Sequence, residues 1–172
     1  MVSSKSNEWA TPQDFYDELH REFGFTLDPC STIENHKCEK YYTIRENGLL
    51  QNWSNEVVFM NPPYGGQTAN WIIKAYEESR KGATVVCLIT SSTDRSYWHS
   101  HIFPFAAQIR FIRGRLKFGG VKESAPFASA VVIFTEQIKF NERIYYYTMS
   151  VSEARKMKQK SEPRKEGSLY DV

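Results

Sequence analysis

EVVFMNPPYGGQTANWIIKAYEESRKGATVVCLIT, residues 56–90, holds two apolar runs joined by a stiff turn and an amphipathic stretch. EVVFM has the pattern of a buried strand, and TANWIIKAYEESRKG places Trp71, Ile72, Ala75 and Tyr76 on one side of a helix. ATVVCLIT is again continuously apolar, as a strand covered on both faces of its sheet must be. Strand, helix and strand in this order predict an α/β fold with a largely parallel sheet flanked by helices.

The flanking sequence extends that pattern. TPQDFYDELHREFG reads as a helix with Thr11 as its cap, Pro12 in its first turn, Phe15, Leu19 and Phe23 on one face, and Gly24 at its end. FTLDP is a short strand, and the polar stretch from there to Asn52 reads as a long functional loop with one short helical turn at most. A short helix near Ser96 to Phe103 precedes three more strands, AQIRFI, FASAVVIFT and ERIYYYTM. The expected organisation is a flexible terminus over 1–8, a single domain over 9–150 and a charged tail over 151–172.

A chain of 172 residues with 41% hydrophobic and 15% aromatic content can bury one sizeable core. No segment resembles a signal peptide or a membrane span, and Cys30, Cys38 and Cys87 lack framework spacing. A soluble cytoplasmic protein with free thiols is expected, and a monomer is compatible with the sequence. His36 lies between Cys30 and Cys38, but no fourth ligand accompanies them and no metal is expected. A net charge of +2 identifies no partner by itself. Its distribution is more informative, because Arg110, Arg113, Arg115, Lys117 and Lys122 cluster in one stretch.

NPPYG follows a strand, and ligand chemistry in open α/β sheets gathers beyond the carboxyl ends of strands. Pro62 and Pro63 remove two amide donors and fix two torsions, so the loop offers acceptors rather than donors. The amide oxygen of Asn61 and the backbone oxygen of Pro62 could together receive both protons of a planar amino group. Tyr64 offers a face for a base to stack on, and Gly65 and Gly66 permit close approach. Acceptors on an amino nitrogen conjugated to a heteroaromatic ring favour its electron-rich tetrahedral form, which can attack an electrophilic methyl group. Two plainer readings of the tetrapeptide are a structural turn and an Asn-Pro-x-Tyr docking peptide. The second requires exposure and flexibility, which an apolar strand and an amphipathic helix on either side do not provide.

FMNPPYG resembles the Asp/Asn-Pro-Pro-Tyr motif of amino-methyltransferases that use S-adenosylmethionine. With WATPQDF, FTLDPCSTIEN, ENGLLQNW and SAPFASAVVIF in the same order, the stretch from Trp9 to Phe134 resembles the phage-encoded DNA N6-adenine methyltransferase (Dam) family. The resemblance implies a Rossmann-like methyltransferase fold, with Asn61, Pro62, Pro63 and Tyr64 orienting the target amino group. It also implies that Thr11, Pro12, Asp28 and Pro29 lie near the methyl donor together with Asn61. Two departures stand out: Asn47 replaces the acid of an Asp-Gly-Leu segment, and LDPCSTIEN lacks the glycines that commonly follow the first strand.

Double-stranded DNA is the implied substrate, which requires the target base to be flipped from the stack. If the strand AQIRFI continues, RFIRGRLKFGG places Arg113, Arg115 and Lys117 on one side of a ribbon, where with Arg110 they could hold phosphates. An ordinary solvated strand edge would look the same. Phe118 and Phe127 could flank the flipped base, and Phe127 suits a core position equally. GATC is the first recognition site implied by the resemblance. Cytosine N4, an RNA base, a protein glutamine, or a non-catalytic DNA-binding role are the alternatives.

Overall fold

The structure, a computed structural model, describes residues 9–120, 124–136 and 145–150. The expected loose terminus, the charged tail and Lys122 lie outside the described residues. The strands are β1 (Leu27–Asp28), β2 (Lys40–Tyr41), β3 (Val57–Met60), β4 (Thr84–Thr90), β5 (Gln108–Arg113), β6 (Ser129–Phe134) and β7 (Tyr145–Ser150). Helices α1 (Gln13–Phe23), α2 (Thr68–Ser79) and the three-residue α3 (Phe103–Phe105) accompany them. The strands form one sheet in the order β2-β1-β3-β4-β6-β5-β7. All pairings are parallel except those of β6 with β4 and β5, so β6 alone runs against the rest.

The apolar strands are continuous because each face of the sheet meets a separate layer. Val85, Cys87 and Ile89 of β4 pack with Trp71, Ile72 and Ala75 of α2 and with Trp98. Val86 and Leu88, pointing the other way, pack with Phe59 and with Phe15, Tyr16 and Leu19 of α1. Each fully buried aliphatic side chain of this size contributes roughly 1.5–3 kcal/mol to the folded state. Helix α1 stops at Gly24, whose φ of 67° suits glycine and whose N–H reaches the carbonyl of His20 at 2.8 Å.

Three expectations are corrected. Thr11 does not cap α1: Pro12 occupies the cap position, no side-chain cap bond forms, and the Thr11 hydroxyl is engaged elsewhere. The long polar loop contains the two-residue strand β2 as well as a 3-10 turn at Gly48–Leu50. The short helix expected near residue 100 is present, with a π-helical turn at Trp98–Ile102 that runs into α3. Strand β5 ends at Arg113, so no β-ribbon carries the following cations.

Strand β1 has its sequence successor β2 on one side and β3 on the other. The chain therefore leaves β1 and β2 to continue on the opposite side of β1, which opens a crevice at the carboxyl ends of β1 and β3. Asp28 and Asn61 stand at those two ends.

Candidate active site

A cavity of about 610 Å³ occupies the crevice, within the usual range for small-molecule sites. Of the expected residues, Thr11, Asp28, Pro29, Asn61, Pro62 and Pro63 line it together. Pro12, Tyr64, Phe118 and the basic residues lie outside its lining.

Asn61 is held at its nitrogen. Its Nδ2 donates to the carbonyl of Trp9 at 2.6 Å and to Oγ1 of Thr11 at 3.0 Å. Because the Trp9 carbonyl can only accept, the amide has one favourable orientation. Among the described residues its Oδ1 has no hydrogen-bond partner, a buried acceptor left without a donor on a residue that lines the cavity. The loop is fixed from the other side by Thr68 in the first turn of α2, whose hydroxyl donates to the Pro63 carbonyl at 3.2 Å. The same hydroxyl accepts the Gly65 N–H at 3.1 Å. The placement of Thr68 follows from the helix start after the two glycines, but its contacts require the folded loop.

Asp28 is 4% exposed. Burial pushes its carboxyl up to about 6, against the N–H groups of Lys37, 3.0 Å from Oδ2, and of Cys30, 3.4 Å from Oδ1. It is thus ionised at neutral pH yet poorly solvated, and a cation or hydroxyl entering the cavity would relieve that cost. The Cys30 thiol is pushed well above its ordinary range by burial and by Asp28, which makes it a neutral neighbour rather than a nucleophile.

The missing glycines after β1 are compensated by a glycine from another loop. A Cβ on Gly48 would stand 1.9 Å from the Pro29 carbonyl oxygen and 3.2 Å from Trp71. Only glycine therefore lets the 43–50 loop close on the end of β1. Asn47 precedes it with φ of 50°, a left-handed conformation that asparagine tolerates better than most residues. Trp53 pins the same loop, donating from Nε1 to the Gly48 carbonyl at 3.0 Å and from its backbone N–H to Glu78 at 2.8 Å.

Tyr64 turns its ring edge-on to Phe127, at 5.2 Å between centroids, and to Phe118 at 6.3 Å. Trp9 packs edge-on against the same two rings at 5.1 and 5.7 Å. Phe118 is 1% exposed and supports the cluster from within, whereas Phe127 and Tyr64 remain partly accessible. The Tyr64 hydroxyl is buried without a partner among the described residues, and burial pushes its ionisation upward.

Arg110 is separated from the other cations. It forms a two-pronged ion pair with Glu22 of α1, at 2.6 and 2.5 Å, with its guanidinium over the ring of Phe23. Arg113, Arg115 and Lys117 are exposed, while Leu116 and Phe118 point inward between them. The expected alternation holds over 115–118 but fails at Gly114, which is exposed like the arginines on either side. Arg115 also donates to the Ala125 carbonyl at 3.4 Å. His99 and His101 do not line the cavity.

Residues 1–162 match the family described as DNA N-6-adenine-methyltransferase (Dam). The chain is 29% identical over 110 residues to the DNA N-6-adenine-methyltransferase of Escherichia phage T1, covering 63% of this chain and 45% of that protein. It is 35% identical over 65 residues to YfdM of Escherichia coli K12, a candidate methyltransferase by name, covering 34% of this chain and 71% of that protein. In fold it is similar to the modification subunit of a candidate type I restriction enzyme from Vibrio vulnificus. That likeness has a TM-score of 0.56 at 13% identity, covering 87% of this chain and 48% of the subunit. The chain thus spans less than half the length of both the phage T1 protein and the Vibrio subunit. With 162 of its 172 residues matched, it belongs to the DNA N-6-adenine-methyltransferase (Dam) family.

Proposed function

We propose that the chain transfers the methyl group of S-adenosylmethionine to N6 of adenine in double-stranded DNA. The observation that carries this reading is the buried, unpartnered Oδ1 of Asn61, with the amide nitrogen held so that an acceptor remains for an incoming amino group. When bound, S-adenosylmethionine supplies an electrophilic methyl on a sulfonium. The cavity fits it in volume, and the poorly solvated Asp28 carboxylate at the end of β1 suits its hydroxyl or ammonium groups. Of the residues that line the cavity, Asp28 and Pro29 are assigned to hold it, with Thr11 and Asn61 beside them.

Asn61 would accept one N–H of the target amino group together with the Pro62 carbonyl, drawing the nitrogen lone pair out of conjugation with the base. The Asn61 and Pro62 oxygens would thereby ready that nitrogen to take the methyl that the sulfonium would give up, and the surplus amino proton would leave to solvent. Because these dipoles are fixed before the base arrives, they favour the transition state without reorganising. Tyr64 and Phe127 would receive the flipped base, with Phe118 behind them. Arg113, Arg115 and Lys117 would hold phosphates and fix register. Arg110 leaves that set because Glu22 already occupies it. The cytoplasm, that of the host if the chain is phage-encoded, is the expected place of action, and GATC is the first site to examine.

Transfer of labelled methyl to duplex DNA, followed by nucleoside digestion, tests the assignment. Label in N6-methyl-2′-deoxyadenosine is expected. Label found only in N4-methylcytosine, in RNA or in protein would move the activity to another amino group, and donor binding without any transfer would leave a DNA-binding module.

A further inference from the structure

Segment 9–11 does more than precede α1. Trp9 and Thr11 present their oxygens side by side to the two amide protons of Asn61, at 2.6 and 3.0 Å. The segment is itself clamped. The Ala10 carbonyl between them accepts the Gly119 N–H at 2.8 Å, and the Trp9 ring lies edge-on to Phe118 and Phe127. Thr11 is 5% exposed, so water competes little for its hydroxyl. If the amide rotated by half a turn, Oδ1 would face the Trp9 carbonyl, two acceptors at hydrogen-bond distance with no proton between them. The clasp therefore decides which end of the amide meets the cavity.

We infer that Thr11, with the Trp9 carbonyl, is a positioning residue: it locks the Asn61 amide with Oδ1 toward the cavity, so that the site selects substrates presenting an N–H. This inference rests on the proposed role of Asn61 and assigns to Thr11 a task other than donor contact. A substrate atom that can only accept, such as a ring carbonyl, would meet another acceptor and be refused.

Thr11→Val keeps the branched shape and removes the acceptor, and Thr11→Ser restores the hydroxyl. Single-turnover transfer by Thr11→Val should fall roughly tenfold, the scale of one neutral hydrogen bond. Its dissociation constant for S-adenosylmethionine should stay within about twofold, and Thr11→Ser should recover most of the rate. Equal loss of donor binding and transfer would make Thr11 a donor ligand and overturn the inference, as would a wild-type rate in Thr11→Val. A second readout needs no activity. The side-chain amide protons of Asn61, identified by their absence in Asn61→Ala, should exchange slowly in the wild type and faster in Thr11→Val. If exchange behaves so while the wild type methylates no nucleic acid, the clasp stands and the proposed function falls. Unchanged exchange in Thr11→Val overturns the clasp.

Discussion

At the scale of single residues, the chemistry of Asn61 is legible in the sequence, whereas its restraint is not. Two prolines after an asparagine identify an acceptor loop, but the partners of Nδ2 come from residues about fifty positions earlier, which no local pattern connects. For the same reason Thr11 reads as a helix cap until the fold brings Asn61 to it. Gly48 is a similar case: ENGL displays a glycine, while the Pro29 carbonyl that requires it belongs to another loop. Gly48→Ala should lower stability by roughly 1–3 kcal/mol, as overpacking against backbone does, and should weaken donor binding. Denaturant unfolding measures the first effect, and wild-type stability in that variant would count against the close approach. Asp28 gives a pH test. If its carboxylate contacts the donor, binding favours the ionised form, so affinity should rise as pH increases through about 6 and level off above it. Calorimetry across that range should show the rise in the wild type and a flat profile in Asp28→Asn.

Among the elements, β3, α2 and β4 are readable because unbroken apolar runs and helical spacing survive without context. Strand β2 is not readable: two residues at the sheet edge, exposed or half-buried, leave no alternation to detect. Strand β5 ends at Arg113, and alternating burial resumes only over 115–118, which shows that period-two burial does not require a paired strand. Helix α2 holds the cavity loop through Glu78, a fully buried carboxylate that accepts from Lys74 at 2.7 Å, Lys81 at 2.9 Å and the Trp53 N–H at 2.8 Å. Burial alone would push Glu78 up, but these donors outweigh it and hold the group below its ordinary range. The stability it contributes is therefore present at neutral pH and lost as acidification protonates it. Glu78→Ala should cost about 3–5 kcal/mol, the scale of breaking a buried ion pair. Glu22→Ala, which breaks the more exposed pair with Arg110, should cost under about 1 kcal/mol. Urea denaturation of the two variants checks the contrast, and equal losses would contradict it.

For the whole molecule, the sheet order converts a local motif into a site by placing the end of β3 beside the end of β1, with the 43–50 loop closing the crevice. The α/β class follows from the alternation of elements, whereas the reversed direction of β6 and the switch point at β1 come only from pairing. The small net charge says little about DNA, but the cations are divided between an internal ion pair and an exposed loop. Arg113→Ala and Lys117→Ala should each flatten the dependence of log affinity for DNA on log salt by about 0.9 if each contacts one phosphate. Arg110→Ala should leave that slope unchanged because Glu22 already neutralises it. A slope that responds to Arg110 alone would reverse the assignment of the DNA-facing side. The central claim is that the unpartnered acceptor of Asn61 acts on the amino group in the transition state. Single-turnover methyl transfer to duplex DNA by Asn61→Ala, measured beside its donor dissociation constant, tests that claim most directly. The account predicts a fall of about 10²-fold or more with donor affinity within a few fold; transfer at the wild-type rate would contradict it.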